Sequence, residues 1–161
     1  SDLEIMKSQI VKKAASKTLP APGTESMLGI RTTMRNQFPA TVSAITKKGS
    51  LVRVALTTKG NSVFYSKVTS ASAELFELHI GLPVLVLFKA TAVQIKHVSS
   101  EKQKNLVNGV VIRKSRSGEL NLLIEPGVTI VGFCQQPSDF QVSDEAVAEI
   151  DETAVVLALA H

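Results

Sequence analysis

Asn36-Gln37-Phe38-Pro39-Ala40-Thr41-Val42 returns as Asn105-Leu106-Val107-Asn108-Gly109-Val110-Val111, an offset of 69 (105 − 36). Gly49 and Gly118, each inside a turn signal, keep that offset. Thr91-Ala92-Val93 returns as Thr153-Ala154-Val155 at an offset of 62 (153 − 91), so the second copy is seven residues shorter. Between these anchors the first copy alternates apolar and polar residues with period two, the signature of half-buried strands. Strands are predicted over 38–46, 50–57, 62–68, 83–89 and 91–96, with turns at Lys47-Lys48-Gly49 and Lys59-Gly60-Asn61. Glu74-Leu75-Phe76-Glu77-Leu78 reads as a short helix, with Thr69, Ser70 and Ser72 as hydroxyl caps, acids in its first turns and Gly81 ending the segment.

A tandem repeat of five strands and one short helix predicts a mainly β chain of two OB-like five-stranded barrel lobes, each with a short helix. A short N-terminal helix precedes them: Leu3, Met6, Ile10 and Ala14 are spaced by three and four, with lysines between. Thr18-Leu19-Pro20-Ala21-Pro22-Gly23-Thr24 cannot continue that helix. The predicted divisions are 1–30 (helix and linker), 31–98 (first, ligand-competent lobe) and 99–161 (second, structural lobe). Lobes of this size bury a marginal core alone, so packing against each other or across a dimer is expected. The composition, 44% hydrophobic and 20% charged, is that of a folded chain with an aliphatic core. No apolar run is long enough to span a bilayer. The single Cys134, read as a small core residue in a strand, fits a reducing cytoplasm, and the expected location is cytoplasmic.

The charges are uneven. No acid lies between Glu25 and Glu74, while Arg31, Arg35, Lys47, Lys48, Arg53, Lys59 and Lys67 do. Residues 33–97 carry eight Lys/Arg and two acids, net +6; residues 105–161 carry three and eight, net −5. A donor-rich, acid-free half suits an anionic ligand or a polyanion, although charge alone is equally compatible with a generic basic surface. Within it, Thr33 and Arg35 share one side of an extended chain, a hydroxyl beside a guanidinium fork that grips tetrahedral oxyanions. Thr69 and Ser72 open the short helix, where free N–H groups and the dipole favour an anion. Lys89 ends an apolar strand. Taken one at a time, a solvated Arg, ordinary caps and a snorkelling Lys are the plainer readings.

Together these residues resemble the molybdate-binding Mop (molbindin) domain. Its signature of S-A-R-N-Q, I-T-x-x-S and K-A stands here as Thr33-Met34-Arg35-Asn36-Gln37, Val68-Thr69-Ser70-Ala71-Ser72 and Lys89-Ala90. The family's L-G-L after the helix is Phe76-Glu77-Leu78. Such tandems form the effector-sensing half of ModE-type molybdate-responsive transcription regulators, in which a DNA-binding domain precedes them. The resemblance implies molybdate or tungstate as ligand, bound by Thr33, Met34, Arg35, Thr69, Ser72 and Lys89 with no metal ligands and no cofactor. It also implies a homodimer with shared sites, Thr33 and Arg35 from one subunit and Thr69, Ser72 and Lys89 from the other. DNA would be met only through a domain outside this chain. A helix and linker beginning Ser-Asp is what a chain cut after that domain would present.

The second copy departs from the signature. Lys102-Gln103-Lys104 stands opposite Thr33-Met34-Arg35, and Asp151 opposite Lys89, a carboxylate that repels a dianion. Molybdate is an unprotonated dianion, so donors alone satisfy it, whereas hydrogenphosphate also needs an acceptor. Two other functions compete: a molbindin-type storage protein, and an OB-type nucleic-acid module, which the sparse aromatics disfavour. An enzyme is not expected, since His79, His97 and His161 have no nucleophile or acid motif around them.

Overall fold

The computed structural model describes residues 33–98 and 105–159. The expected N-terminal helix, Lys102-Gln103-Lys104 and His161 lie outside them. Five strands and a helix come from the first copy: β1 (Asn36–Lys48), β2 (Leu51–Thr57), β3 (Val63–Thr69), α1 (Ser70–Leu75), β4 (Pro83–Phe88) and β5 (Val93–Lys96). The second copy supplies β6 (Leu106–Lys114), β7 (Glu119–Glu125), β8 (Val128–Phe133), β9 (Glu145–Ile150) and β10 (Val156–Leu159). Gly49 and Gly118 both take positive φ, +63° and +91°, the left-handed conformation that the repeated hairpin requires. Among the described residues no helix is long and apolar enough to cross a membrane.

The two copies exchange their last strands. One sheet has the order β10-β4-β1-β2-β3, and the closed barrel is β5-β8-β7-β6-β9. A cut at residue 98 therefore does not separate one sheet from the other. The expectation of two closed barrels is corrected: the first sheet is not closed by a strand ladder. Its edges β3 and β10 meet through side chains, where the Ser66 hydroxyl donates to the Val155 carbonyl at 2.8 Å. The expected second helix is replaced by a 3-10 turn at Pro137–Asp139; the shorter copy has no room for a helix there.

Alternation in β1 sends Phe38, Ala40 and Val42 inward and Pro39 and Thr41 outward. Residues 36–41 of β1 pair with β4 and residues 41–48 with β2, around a bulge between Val42 and Ala44. Pro39 thus lies where β1 has a single ladder partner, so its missing N–H breaks no second ladder. Phe38, Phe64 and Phe88 cluster with ring centroids 4.6, 5.9 and 6.3 Å apart. They belong to a single buried cluster that continues through Ile95, Val107, Leu120, Leu122, Ile130 and Ala148. One core serves both copies, which answers the marginal size of each.

Two asparagines fasten the halves. The Asn36 amide donates to the Val131 carbonyl at 2.9 Å and accepts from its N–H at 2.7 Å. Asn105, the repeat equivalent, donates to the Tyr65 carbonyl at 2.9 Å and accepts from its N–H at 3.1 Å. Each side chain behaves as a short piece of strand added to the other copy. Both are buried, so each amide is retained where its loss would orphan backbone groups.

Candidate functional site

The site segment begins as a short extended stretch held by Met34. Its side chain is buried in a cluster with Leu85, Leu87, Val156 and Ala158, on β4 and β10. The Gln37 amide donates to the Met34 carbonyl at 2.8 Å and fixes the entry to β1. With Met34 and Asn36 buried, Thr33 and Arg35 turn outward and both are exposed. The side chain of Met34 anchors the stretch.

Lys89 joins this group. Asn36 pairs with Phe88, so Arg35 and Lys89 leave the facing ends of the antiparallel β1–β4 pair. Lys89 is exposed, extended at φ −77° and ψ 150°, and caps the 3-10 turn Ala90–Ala92. Its ammonium is in no ion pair among the described residues. Within one chain, the register therefore sets Lys89 across from Arg35.

Thr69 and Ser72 lie at the far end of the sheet. Thr69 pairs with Leu51, beside the hairpin where Lys48 pairs with Leu51, while Arg35 precedes the opposite end of β1. The helix begins at Ser70, four residues earlier than expected, and no acid occupies its first turn. Thr69 is its N-cap: the hydroxyl accepts from the Ser72 N–H at 3.1 Å and donates to the Ser72 hydroxyl at 2.9 Å. The Ser70 N–H donates to the Ser50 carbonyl at 2.8 Å. Two amides expected to be free are thus engaged. An apolar groove of about 20 Å³ lies beside Ser72, lined by Val68, Phe76, Leu78 and Val155 to Leu157. It has room for about one water and no cation.

The α1 helix ends in a Schellman pair. The Leu78 N–H reaches the Ala73 carbonyl and the Glu77 N–H that of Glu74, both at 3.0 Å. Glu77 takes φ +51° at the position where the Mop pattern carries glycine.

The acid-free stretch is not acid-free in space. Arg35 forms a two-pronged ion pair with Glu119 of β7, the second contact at 3.2 Å. Arg53 pairs with Glu152 at 2.7 Å and lies 3.7 Å over the Tyr65 ring. Both acids belong to the second copy, so the charge imbalance between the halves is partly neutralised across their junction. Glu125 reaches the β2–β3 hairpin, accepting from the Thr58 hydroxyl and from the Gly60 N–H at 2.7 Å. These crossings join residues 65 to 99 positions apart and left no local signal in the sequence.

On the closed barrel, a wide cleft of about 690 Å³ is lined by Thr91, Gln94 and Lys96 of the first copy and Gln135, Glu149 and Asp151 of the second, among others. Lys96 and Glu149 pair within it, and Asp151 engages Thr153 through both its N–H and hydroxyl. Its acids do not suit a dianion. Cys134 is half-buried one residue past β8, and burial pushes its thiol up. His97 stacks on Phe140 at 4.4 Å, and the His79 ring meets the Glu77 carbonyl. Among the described residues no group of His, Cys, Asp or Glu could hold a metal ion.

Residues 32–95 match the family model of the TOBE domain. A search of curated proteins finds no match. Among solved structures, the chain is similar to the cytoplasmic molybdate-binding protein ModG in a crystal form with molybdate bound. The TM-score is 0.72 at 24% identity, over 81% of this chain and 99% of that one. At that identity the likeness shows the fold.

Proposed function

We propose that this chain binds molybdate or tungstate and acts as the effector-sensing part of a molybdenum-responsive transcriptional regulator in the cytoplasm. The observation that carries the reading is the convergence of Arg35 and Lys89 on facing ends of β1 and β4, with the Thr33 hydroxyl beside them. Two cations and a hydroxyl supply the donors an unprotonated dianion requires, with Glu119 paired to one of the cations. The three-part signature and the fold shared with a molybdate-binding protein support the choice of oxyanion. Thr69 and Ser72, at the far end of the sheet, complete the donor set only when a second copy brings them, so the site is shared across a homodimer. The second copy, with Asp151 in the place of Lys89, serves as structure.

Storage is the second reading. It is favoured by the ModG likeness, which extends over nearly all of that protein, so that tandem copies alone account for its length. Nucleic-acid binding has little support: Phe38, Phe64, Phe88 and Phe140 are buried, and Arg53 covers Tyr65.

The test is calorimetric titration with molybdate, tungstate, sulfate and phosphate. Molybdate and tungstate bind and phosphate does not. At about 100 times the dissociation constant, ligand adds roughly 2.7 kcal/mol to stability. A melting curve unchanged in millimolar molybdate overturns the proposal.

A further inference from the structure

We propose that Glu119 is a built-in counter-ion of the oxyanion site, competing with the ligand for Arg35 and setting its affinity. This rests on the molybdate reading and adds to it a residue from the other copy, outside the signature. The carboxylate is held in place: the Glu119 N–H donates to the Ser115 hydroxyl at 3.1 Å, and its backbone pairs with Phe133 in the closed barrel. Arg35 comes from the other sheet and meets it with both guanidinium nitrogens. The side chains are 51% and 22% exposed respectively, so the acid is the sheltered, positioned partner and the arginine the one free to swing.

A dianion arriving at Arg35 and Lys89 has to share or displace that carboxylate, and meets its negative charge at close range. Both effects weaken binding. Lys89, with no ion pair among the described residues, holds the ligand without such competition. The repeat places a charge of the opposite sign at the matching position. The equivalent of Glu119 in the first copy is Arg53, since Val131 pairs with Asn121 as Tyr65 pairs with Ala55, an offset of 66 (121 − 55). Arg53 in turn meets an acid of the second copy, Glu152.

The experiment compares the full chain with Glu119→Gln, which keeps the shape and removes the charge, by molybdate calorimetry at low and high salt. For an ion pair this exposed, the variant binds roughly two- to fivefold tighter at low salt, and the gain shrinks as salt rises. In an Arg35→Ala background the same change has a markedly smaller effect, because the pair is already broken. Wild-type binding with an equal or weaker Glu119→Gln overturns the counter-ion role and leaves the molybdate reading intact. No binding by either protein overturns both. Binding by the variant alone supports the counter-ion role in its strongest form.

Discussion

Arg35 and Lys89 differ in what already holds them, and that difference sets what their removal does. Arg35 is tied to Glu119, whereas Lys89 stands at the end of β4 with its charge uncompensated by an ion pair among the described residues. Arg35→Ala and Lys89→Ala each remove a charge-assisted donor and weaken molybdate binding by roughly 1.5–3 kcal/mol. Neither unfolds the chain, since both side chains are exposed; calorimetry and circular dichroism on the same samples separate the two effects. Wild-type affinity in both variants places the pocket elsewhere. Glu77 offers an independent check on the local backbone. A non-glycine residue in the left-handed region costs roughly 1–2 kcal/mol, partly offset by the extra freedom glycine gives the unfolded chain. Glu77→Gly therefore stabilises the fold by about 1 kcal/mol, raising the melting temperature by about 2–4 °C for a chain of this size. A lower melting temperature contradicts the Schellman assignment.

The elements were legible where alternation is local and illegible where the partner lies in the other copy. Phe38, Ala40 and Val42 announce β1 by period two, and the observed strand contains the predicted 38–46. The repeat, with Asn36 and Asn105 as its anchors, correctly announced equivalent positions. What it could not carry is that each asparagine bonds the opposite copy, or that β5 and β10 change places, because a four-residue strand fits either sheet equally well by pattern. The helix start was missed because its first four residues, Ser70-Ala71-Ser72-Ala73, are small and the first large apolar side chain is Leu75. That Lys89 stands across from Arg35 follows only from the β1–β4 register, which joins residues far apart in sequence. The long-range acids carry a testable consequence for how the copies hold together. Burial raises the Glu125 carboxyl, but hydrogen bonds from Ser62, Thr58 and the Gly60 and Ser62 amides outweigh it and leave it below its ordinary value of 4.5. A depressed folded value stabilises the chain above the unfolded value, and that stabilisation disappears as pH falls through the folded one. Urea unfolding of wild type and Glu125→Gln from pH 7 downward tests it: the wild-type advantage is constant near neutrality and shrinks below about pH 4.5. An advantage that grows on acidification contradicts the lowered Glu125 value.

At the scale of the whole molecule, Arg35 and Lys89 stand where β1 begins and β4 ends, whereas Thr69 ends β3 and Ser72 follows it in α1. In the two-fold dimer proposed above the same surfaces would meet twice, each site taking Thr33, Arg35 and Lys89 from one chain and Thr69 and Ser72 from the other. Complementation tests that division. Arg35→Ala and Ser72→Ala each damage both sites of their own homodimer. In a mixed dimer one site inherits both lesions and the other inherits neither. Unfolded together in equal amounts and refolded, the two variants form mixed dimers as about half of the population, so about a quarter of the wild-type number of full-affinity sites returns. Each variant refolded alone serves as the baseline, and calorimetric stoichiometry at a molybdate concentration that saturates wild type is the readout. Ser72→Ala is preferred to Thr69→Ala because it leaves the Thr69 hydroxyl free to cap the Ser72 position N–H and keep α1 in place. No recovery of tight sites, with mixed dimers confirmed by mass, means that each chain carries its site by itself and that Thr69 and Ser72 belong only to the helix cap.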